Sequence, residues 1–330
     1  MGAWVSFFAV FVIIFIAWGG VQAPGLRGIF GVVIPYLAML TFFGGIIYRV
    51  ITWARSPVPF RIPTTGGQQK SLDWIKWSCL DNPATKAGVV ARMALEILTF
   101  RSLFRNTRLE LRDGPKLDYA SSKWLWVAAL AFHYCFLVIF LRHFRFFLEH
   151  VPLPIHYLER VDGFFEVGVP GLYLTDIIIM LAVLYLLLRR FAVPQLRYIS
   201  LPADYFPLFL ILGLVFSGIL MRYFIKVDIR SVKQLAMGLV SFHPTVPEGI
   251  GSIFYVHLFL LSVLIAYFPF SKLMHAPGVF LSPTRNLPND SRMVRHINPW
   301  NYPVKVHTYE AYENDFREKM IEAGLPVEKE

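Results

Sequence analysis

The chain has 330 residues, of which 56% are hydrophobic and 16% are charged, with a mean hydropathy of +0.52. A soluble domain carries charge on about a quarter of its residues, so this composition predicts an integral membrane protein. The net charge of +10 does not by itself indicate a nucleic-acid partner, because basic loops beside a membrane produce the same excess.

Six apolar stretches approach the length of about 20 mainly apolar residues that a membrane-spanning helix needs. They lack the two-residue alternation of a barrel strand, and only helices and closed barrels span lipid. The predicted spans are Trp4–Val21, Gly28–Tyr48, Trp124–Leu148, Pro170–Leu188, Tyr205–Met221 and Gly249–Ser271, the last continuing to His275. The predicted fold class is all-α, a polytopic membrane protein with two N-terminal helices in residues 1–52 and a four-helix bundle in residues 124–275.

Two polar segments accompany these spans. Residues 53–123 form a basic insert, in which Asn82-Pro83 predicts a helix start and an apolar stripe from Val89 to Phe104 predicts a surface or interfacial helix. This helix either lies on the lipid surface or forms a docking face for a cytoplasmic partner. Residues 276–330 form a tail rich in proline, asparagine and charge, which we expect to lie along a partner subunit.

The distribution of Lys and Arg predicts the orientation. Basic residues are concentrated in the insert and recur after the fourth span at Arg189 and Arg190, whereas residues 149–169 contain one, Arg160. The insert, the tail and both termini are therefore expected on the cytoplasmic side of the cytoplasmic (inner) membrane. The loop Arg222–Glu248 carries charges of both signs and favours neither side.

Cysteine usage limits the kinds of cofactor that the chain can hold. Cys79 and Cys135 are the only cysteines, and they exclude a disulfide framework, an iron–sulfur motif and a CxxC zinc site. The sequence has no CxxCH run, so a haem in this chain has to be held by coordination and packing alone, as in b-type cytochromes.

Four histidines on two predicted spans carry the strongest indication of chemistry. His133 and His143 lie ten residues apart on the third span, and His257 and His275 lie eighteen apart on the sixth. An ionisable residue in a membrane helix is a functional hypothesis by default, although any one of them alone is as readily explained by a hydrogen bond to a neighbouring helix. Because the two spans run antiparallel, the four residues predict two bis-histidine haem sites, His133 with His275 and His143 with His257.

The helical rises of these two pairs do not match. Ten helical residues rise about 15 Å and eighteen rise about 27 Å, which leaves about 12 Å to be absorbed. A tilted His–iron–His axis or bent helices would absorb this difference, and Pro269 offers a bend before His275. The mean of the two rises places the irons about 21 Å apart along the membrane normal.

This histidine spacing resembles that of the nitrate-reductase gamma-subunit-like membrane cytochromes b. The resemblance covers spans three to six and implies a proximal haem b on His133 and His275 and a distal haem b on His143 and His257. The N-terminal spans, the insert and the tail depart from the compact gamma subunit. They resemble the DsrM branch, the cytochromes b of sulfite-reduction-associated transmembrane complexes, with the membrane subunit of methanophenazine-linked heterodisulfide reductases as the near alternative.

That resemblance implies an electron-transfer subunit of an oxidoreductase complex in dissimilatory sulfur metabolism. It implies electron exchange, in either direction, between menaquinol or menaquinone and a cytoplasmic iron–sulfur partner similar to a heterodisulfide reductase catalytic subunit. The other partners implied are a multihaem cytochrome c, a periplasmic ferredoxin-like protein and a second quinone-reactive membrane subunit.

Charged residues at the ends of the spans supply further candidates. Asp176 lies inside the fourth span and is a candidate acceptor for a quinol proton, or else an interfacial carboxylate favoured by the helix dipole. Arg142, Arg145, Arg189 and Arg190 are candidate partners for haem propionates, because Arg pairs well with carboxylates. Snorkelling to lipid headgroups is the alternative for these arginines.

Two other readings of the chain stay open. A cytochrome b of the formate dehydrogenase or hydrogenase type would carry its haem histidines on more helices with other spacings. A transporter or assembly factor without haem would favour charged or broken helices that meet at mid-membrane, and the sequence suggests few of these.

Overall fold

A computed structural model describes residues 2–56, 67–112, 114, 116–163, 171–292 and 307–328 of the chain. Within this part, five helical stretches are long and apolar enough to cross a membrane. They are Gly2–Gly20, Ile29–Ala54, Lys123–Phe146, Pro202–Phe224 and Ser252–Phe270. The all-α membrane fold predicted from the sequence is confirmed.

The helix that corresponds to the predicted fourth span, Leu174–Ala192, has 19 residues but carries charges near both ends. Asp176 lies in its first turn, and Arg189 and Arg190 lie in its last turn. The predicted start of this span, Pro170, lies outside the described residues.

The helices are numbered here in chain order, and short π or 3-10 turns extend several of them. They are α1 Gly2–Gly20, α2 Ile34–Ala54, α3 Lys86–Thr99, α4 Arg101–Phe104, α5 Lys123–His143, α6 Leu153–Asp162, α7 Leu174–Ala192, α8 Pro194–Ile199, α9 Pro202–Ile219, α10 Ile229–Val240, α11 Ser252–Tyr267, α12 His275–Leu281, α13 Pro283–Asn286 and α14 Tyr309–Glu322. The insert also contains a two-stranded antiparallel hairpin of β1 Thr107–Arg112 and β2 Lys116–Ser121, which the sequence reading missed.

One side of the central bundle is more loosely packed than the others. α5 packs on α7, α7 on α9 and α9 on α11, while α1 covers α9 and α11 and α2 covers α11. Among the described residues, α5 and α11 pack only sparsely against each other. The core between the well-packed helices includes Val10, Ala17, Ile179, Val183, Leu210, Tyr255, Leu260 and Leu264. α5, which carries His133 and His143, and α11, which carries His257, therefore face each other across the loosely packed side, and His275 follows at the start of α12.

The predicted sixth span does not run to His275 as one helix, so that prediction was wrong. α11 ends at Tyr267, a 3-10 turn follows over Phe268–Phe270, and Ser271 is extended with φ −121° and ψ 177°. The cause is Pro269, which has no N–H to donate and whose ring blocks a continuing helix.

The bend at Pro269 is fixed by its neighbours. Pro269 is fully buried, its carbonyl accepts a hydrogen bond from Arg49 Nε at 3.0 Å, and Gly45 of α2 lies against its ring. A Cβ on Gly45 would come within 2.6 Å of Pro269, so only glycine allows this approach. The bend that Pro269 suggested in the sequence is thus present.

The insert also begins differently from the prediction. Its helix starts at Lys86, and the N-cap is Thr85, whose hydroxyl accepts from the Gly88 amide at 3.2 Å. Asn82 instead donates from its side chain to the carbonyls of Gly67 and Gln68, both at 3.0 Å. The Asn82-Pro83 pair therefore organises the preceding loop rather than capping the helix.

Candidate haem-binding histidine pairs

The structure brings His133 and His275 together. Their ring centroids are 5.9 Å apart and the rings are nearly perpendicular, at 82°. Nδ1 of His133 lies 2.7 Å from the Ala129 carbonyl oxygen, and Nδ1 of His275 lies 2.9 Å from the Lys272 carbonyl oxygen. Lys272 also binds Asp204 through its ammonium group at 2.6 Å, which ties the turn before His275 to the start of α9.

His143 and His257 form the second pair. Their ring centroids are 6.4 Å apart and the rings are nearly parallel, at 8°. Nδ1 of His143 lies 2.6 Å from the Ile139 carbonyl oxygen, and Nδ1 of His257 lies 2.9 Å from Ser217 Oγ. The Ser217 hydroxyl itself donates to the Leu214 carbonyl, so its oxygen is left to accept from the histidine.

These contacts give all four rings the same tautomer. A ring nitrogen facing a carbonyl or an accepting hydroxyl must carry the proton, which leaves the lone pair on Nε2. A histidine that donates from one nitrogen to such a partner is oriented for metal binding through the other. The chain thus presents two pairs of imidazoles with a donor atom available on each ring.

The separation of the rings suits two axial ligands of one metal. Two metal–nitrogen bonds of about 2 Å in line put the coordinating atoms about 4 Å apart and the ring centres about 6 Å apart. The observed centroid distances of 5.9 and 6.4 Å fit this arrangement. In the described part of the chain no three His, Cys, Asp or Glu side chains cluster as a metal site, so the donor set fits a group that brings its own equatorial ligands.

The two pairs lie about one bilayer leaflet apart. His133 and His143 are ten residues apart on the continuous helix α5, which corresponds to a rise of about 15 Å. The stretch from His257 to Tyr267 has the same length on α11, and the chain then turns at Pro269. The estimate of 21 Å from the sequence assumed an unbroken sixth helix, whereas α11 ends at Tyr267.

Arg142 is held by acidic side chains beside the second pair. It is 8% exposed, and it binds Asp162 at 2.5 Å and Asp176 at 3.2 Å. Asp162, at the end of α6, also accepts from the backbone and the hydroxyl of Thr175, at 2.9 and 2.6 Å. Tyr223 donates to Asp176 at 2.8 Å. This network pins α5, α6 and α7 together, because each buried charge has a partner of opposite sign.

An aromatic ring extends the network outward. The Tyr173 ring lies between two guanidinium groups, Arg142 at 3.8 Å and Arg222 at 3.7 Å from its centroid. Its hydroxyl donates to Glu159 at 2.7 Å, and Glu159 also pairs with Arg145. Sequence reading missed Asp162, Glu159 and Tyr173. The sequence does contain a signal for the two acids. Glu159 and Asp162 lie in the short helix that follows Arg142 and Arg145, and these arginines had no assigned partner in the protein.

Arg189 and Arg190 lie at the opposite end of α7. Arg190 donates to Ser200 Oγ at 3.0 Å, and its backbone carbonyl accepts from Tyr205. The propionate roles suggested for Arg142, Arg145, Arg189 and Arg190, and the proton-accepting role suggested for Asp176, stay predictions.

The insert supplies an unexpected neighbour for the first pair. Phe100, just after α3, has its ring centroid 4.9 Å from that of His133, edge to face. Its φ of +50° is left-handed, a conformation that costs a non-glycine residue about 1–2 kcal/mol. Thr99 and Leu98 accept hydrogen bonds from Trp126 and Tyr134 of α5 through their carbonyls, which holds this strained turn in place.

Comparison with known proteins places the histidine-bearing part in one family. The sequence profile of the nitrate reductase gamma subunit matches residues 117–296, more than half of the chain and all four histidines. The chain belongs to the nitrate reductase gamma subunit family. The family membership expected from the histidine spacing is thereby confirmed.

Two relatives of this gamma-subunit family member extend the likeness beyond the matched region. One, from Archaeoglobus fulgidus, is 47% identical over 280 residues, or 83% of each chain, and is named Hdr-like menaquinol oxidoreductase cytochrome b-like subunit. Another of the same name, from Archaeoglobus profundus, is 43% identical over 275 residues, or 81% of each chain. The similarity therefore includes part of the chain that precedes the gamma-subunit region.

Proposed function

We propose that this chain is the dihaem b subunit of a membrane redox complex that exchanges electrons between menaquinol or menaquinone and a cytoplasmic iron–sulfur subunit. The observation that carries the proposal is the two imidazole pairs, with one tautomer and with centroid separations of 5.9 and 6.4 Å. The family and the names of the two relatives, which specify a menaquinol oxidoreductase, support the quinol-linked part.

His133 and His275 would hold a proximal haem b, and His143 and His257 a distal one. A haem b so held supplies reversible one-electron chemistry. The chain's own contribution is orientation, because the Ala129, Lys272 and Ile139 carbonyls and the Ser217 hydroxyl fix the four rings. The rise of about 15 Å between the pairs along α5 supports electron transfer along the membrane normal.

Asp176 is proposed to take a proton from the quinol at the His143 end. One of its oxygens accepts from Tyr223 at 2.8 Å and the other from Arg142 at 3.2 Å, so the carboxylate is held in place. Tyr223 also accepts from the Tyr173 amide, and Tyr173 and Arg222 line a cavity of about 370 Å³.

The setting of the complex is part of the same proposal. The concentration of basic residues in the insert supports a location in the cytoplasmic membrane with both termini cytoplasmic. The resemblance to cytochromes b of sulfite-reduction complexes supports a role in sulfur metabolism. It also supports an iron–sulfur partner, a multihaem cytochrome c, a periplasmic ferredoxin-like protein and a second membrane subunit.

The optical spectrum of the purified chain tests the proposal. We expect a low-spin, reducible b-type spectrum with two haems per chain. Exchanging His133 for Ala should remove one haem, the double variant His133→Ala/His275→Ala should remove the same one, and His133→Ala/His143→Ala should remove both. Exposed His243, replaced by Ala, is the control and should leave both haems.

Other outcomes would point to other functions. A purified chain without haem would end the proposal in favour of a transporter or assembly protein. Loss of a haem on replacing histidines of other helices, with no effect at His257 or His275, would favour the formate dehydrogenase or hydrogenase type.

A further inference from the structure

Between its two end residues, α3 exposes no charged side chain. From Ala87 to Leu98 the exposed positions recur at helical spacing and are all apolar; we call them the outward stripe, and they are Ala87, Val90, Ala91, Ala94 and Leu98. Lys86 and Thr99, at the two ends of the helix, are also exposed. Val90 is 68% exposed and Leu98 is 58% exposed. A helix that faces water shows the reverse pattern, with polar residues outward.

Beyond Lys86 at its start, the charged side chains of α3 are turned toward the rest of the chain. Arg92 donates to the Thr284 carbonyl at 3.2 Å, and Glu96 pairs with Arg285 and accepts from Ser102. Thr284 and Arg285 belong to α13, so the C-terminal segment covers the polar face of α3. The apolar face is the one left open.

The position of α3 along α5 gives its depth. The Arg142–Asp176 ion pair sets the antiparallel register of α5 and α7. Arg190 lies fourteen residues further along α7, which puts it level with residue 128 of α5. Arg190, with Lys272 and Asp204, marks the charged end of the bundle, where the apolar layer ends.

The end of α3 is bonded to side chains on both sides of that level. Tyr134 is six residues beyond residue 128, or about 9 Å deeper, and its hydroxyl donates to the Leu98 carbonyl at 2.8 Å. The Trp126 indole, two residues on the other side of residue 128, donates to the Thr99 carbonyl at 2.7 Å. The last turn of α3 therefore lies at the edge of the apolar layer, with Leu98 bonded on its deeper side. Tyr134 and Leu137, three residues apart on α5, are both exposed.

We propose that α3 is inserted into the bilayer beside α5, with the outward stripe in contact with lipid acyl chains. Three observations support lipid as the occupant: the depth of Leu98, the continuity with the exposed side of α5, and the inward pairing of every charge between Val89 and Leu98. Lys86, at the exposed start of the helix, then lies at headgroup level, as is usual for interfacial helices. The insertion does not depend on haem.

Site-directed spin labelling of the full chain in dioleoylphosphatidylcholine vesicles tests this. The labels are attached to Val90→Cys, Ala94→Cys and Leu98→Cys in a Cys79→Ser background, because Cys79 is exposed whereas Cys135 is buried. Lys86→Cys is the matched control on the same helix. Collisions of the label with oxygen, which concentrates in the acyl layer, are compared with collisions with a water-soluble nickel chelate.

We expect oxygen collisions to exceed nickel collisions several-fold at Val90 and Leu98, with the larger ratio at Leu98, and the reverse at Lys86. Nickel collisions that dominate at all three stripe positions would overturn the proposal. Suppression of both collision rates only in the assembled complex would also overturn it, because the stripe would then be a protein docking face. Ala94→Cys is the mildest change and provides the result if Leu98→Cys does not fold.

Discussion

Phe100 lies edge-on against His133, with ring centroids 4.9 Å apart, in a left-handed backbone conformation. Water next to a haem stabilises the oxidised, more highly charged form. We therefore predict that Phe100→Ala lowers the midpoint potential of the haem on His133 and leaves two haems per chain. A redox titration followed by absorbance measures this. Phe140→Ala, on the lipid-exposed side of α5, is the control and should shift neither potential.

Pro269 should be needed for one haem and not for the other. Pro269→Ala restores an N–H and allows α11 to continue toward His275, which would carry that ring away from His133. We expect one haem per chain instead of two, measured by pyridine haemochrome assay and spectrum. Pro207→Ala removes a proline inside α9, a helix that carries no candidate haem ligand, and should leave two haems. Two haems in Pro269→Ala would contradict the assignment of His275.

Ser217→Ala should affect the other haem. It removes the oxygen that lies 2.9 Å from His257 Nδ1, and such partners raise the basicity of a ligating histidine. The potential of one haem should rise while haem content stays at two. Ser262→Ala provides the comparison, since this buried hydroxyl bonds only to the Leu258 carbonyl of its own helix among the contacts described. Equal shifts in both variants would rule out a specific role of Ser217.

Replacing Asp162 should mainly lower stability, whereas replacing Asp176 should mainly slow quinol-driven reduction. Asp162→Asn leaves Arg142 short of a charge partner in a buried site, and breaking such a pair costs about 3–5 kcal/mol. The melting temperature of the purified chain should therefore fall markedly. Asp176→Asn keeps the size of the side chain, and Asp176 is more exposed than Asp162. This variant should therefore slow menaquinol-driven haem reduction with a smaller loss of stability. Normal quinol-driven reduction in Asp176→Asn would end its proposed role as proton acceptor.

Acid should loosen the insert through Asp81. Burial raises the pKa of this carboxyl, but hydrogen bonds from Arg105, Ser78 and Arg101 outweigh burial and hold the pKa below its ordinary value. The stabilisation is therefore present above the ordinary pKa near about 4 and is lost as the pH falls below it. The protection of α4 amides from hydrogen exchange, taken relative to the intrinsic rate at each pH, should fall at low pH. In Asp81→Asn this fall should be absent and the protection should already be lower at neutral pH, whereas an unchanged dependence of protection on pH would exclude Asp81.

Local pattern predicted the histidine pairs because α5 is continuous through His133 and His143 and α11 is continuous from His257 to Tyr267. Ten residues between His133 and His143 translate directly into a rise, and antiparallel order follows from the number of crossings. The same reasoning failed beyond Tyr267, where a proline, a glycine on another helix and an arginine together decide the path. Pro269 indicated a bend, but its direction depends on Gly45 and Arg49, which are more than 200 residues away.

The charged network around Arg142 could not be predicted from the sequence for a similar reason. Asp176 and Arg142 were recognised as unusual residues, but their pairing depends on how α5 and α7 meet and on Asp162 in a connecting helix. The α3 helix was predicted, whereas the face that it turns outward depends on Arg285 and Thr284 in the distant C-terminal segment.

The sparse packing between α5 and α11 has a consequence for assembly. Among the spanning helices, α5 rests chiefly on α7, whereas α11 is surrounded by α1, α2 and α9. A haem of the proposed kind would therefore meet the least packing if it entered sideways from the bilayer between α5 and α11, without disturbing the better-packed helices. We expect cofactor loading to follow membrane insertion and to close the bundle as its last step of maturation.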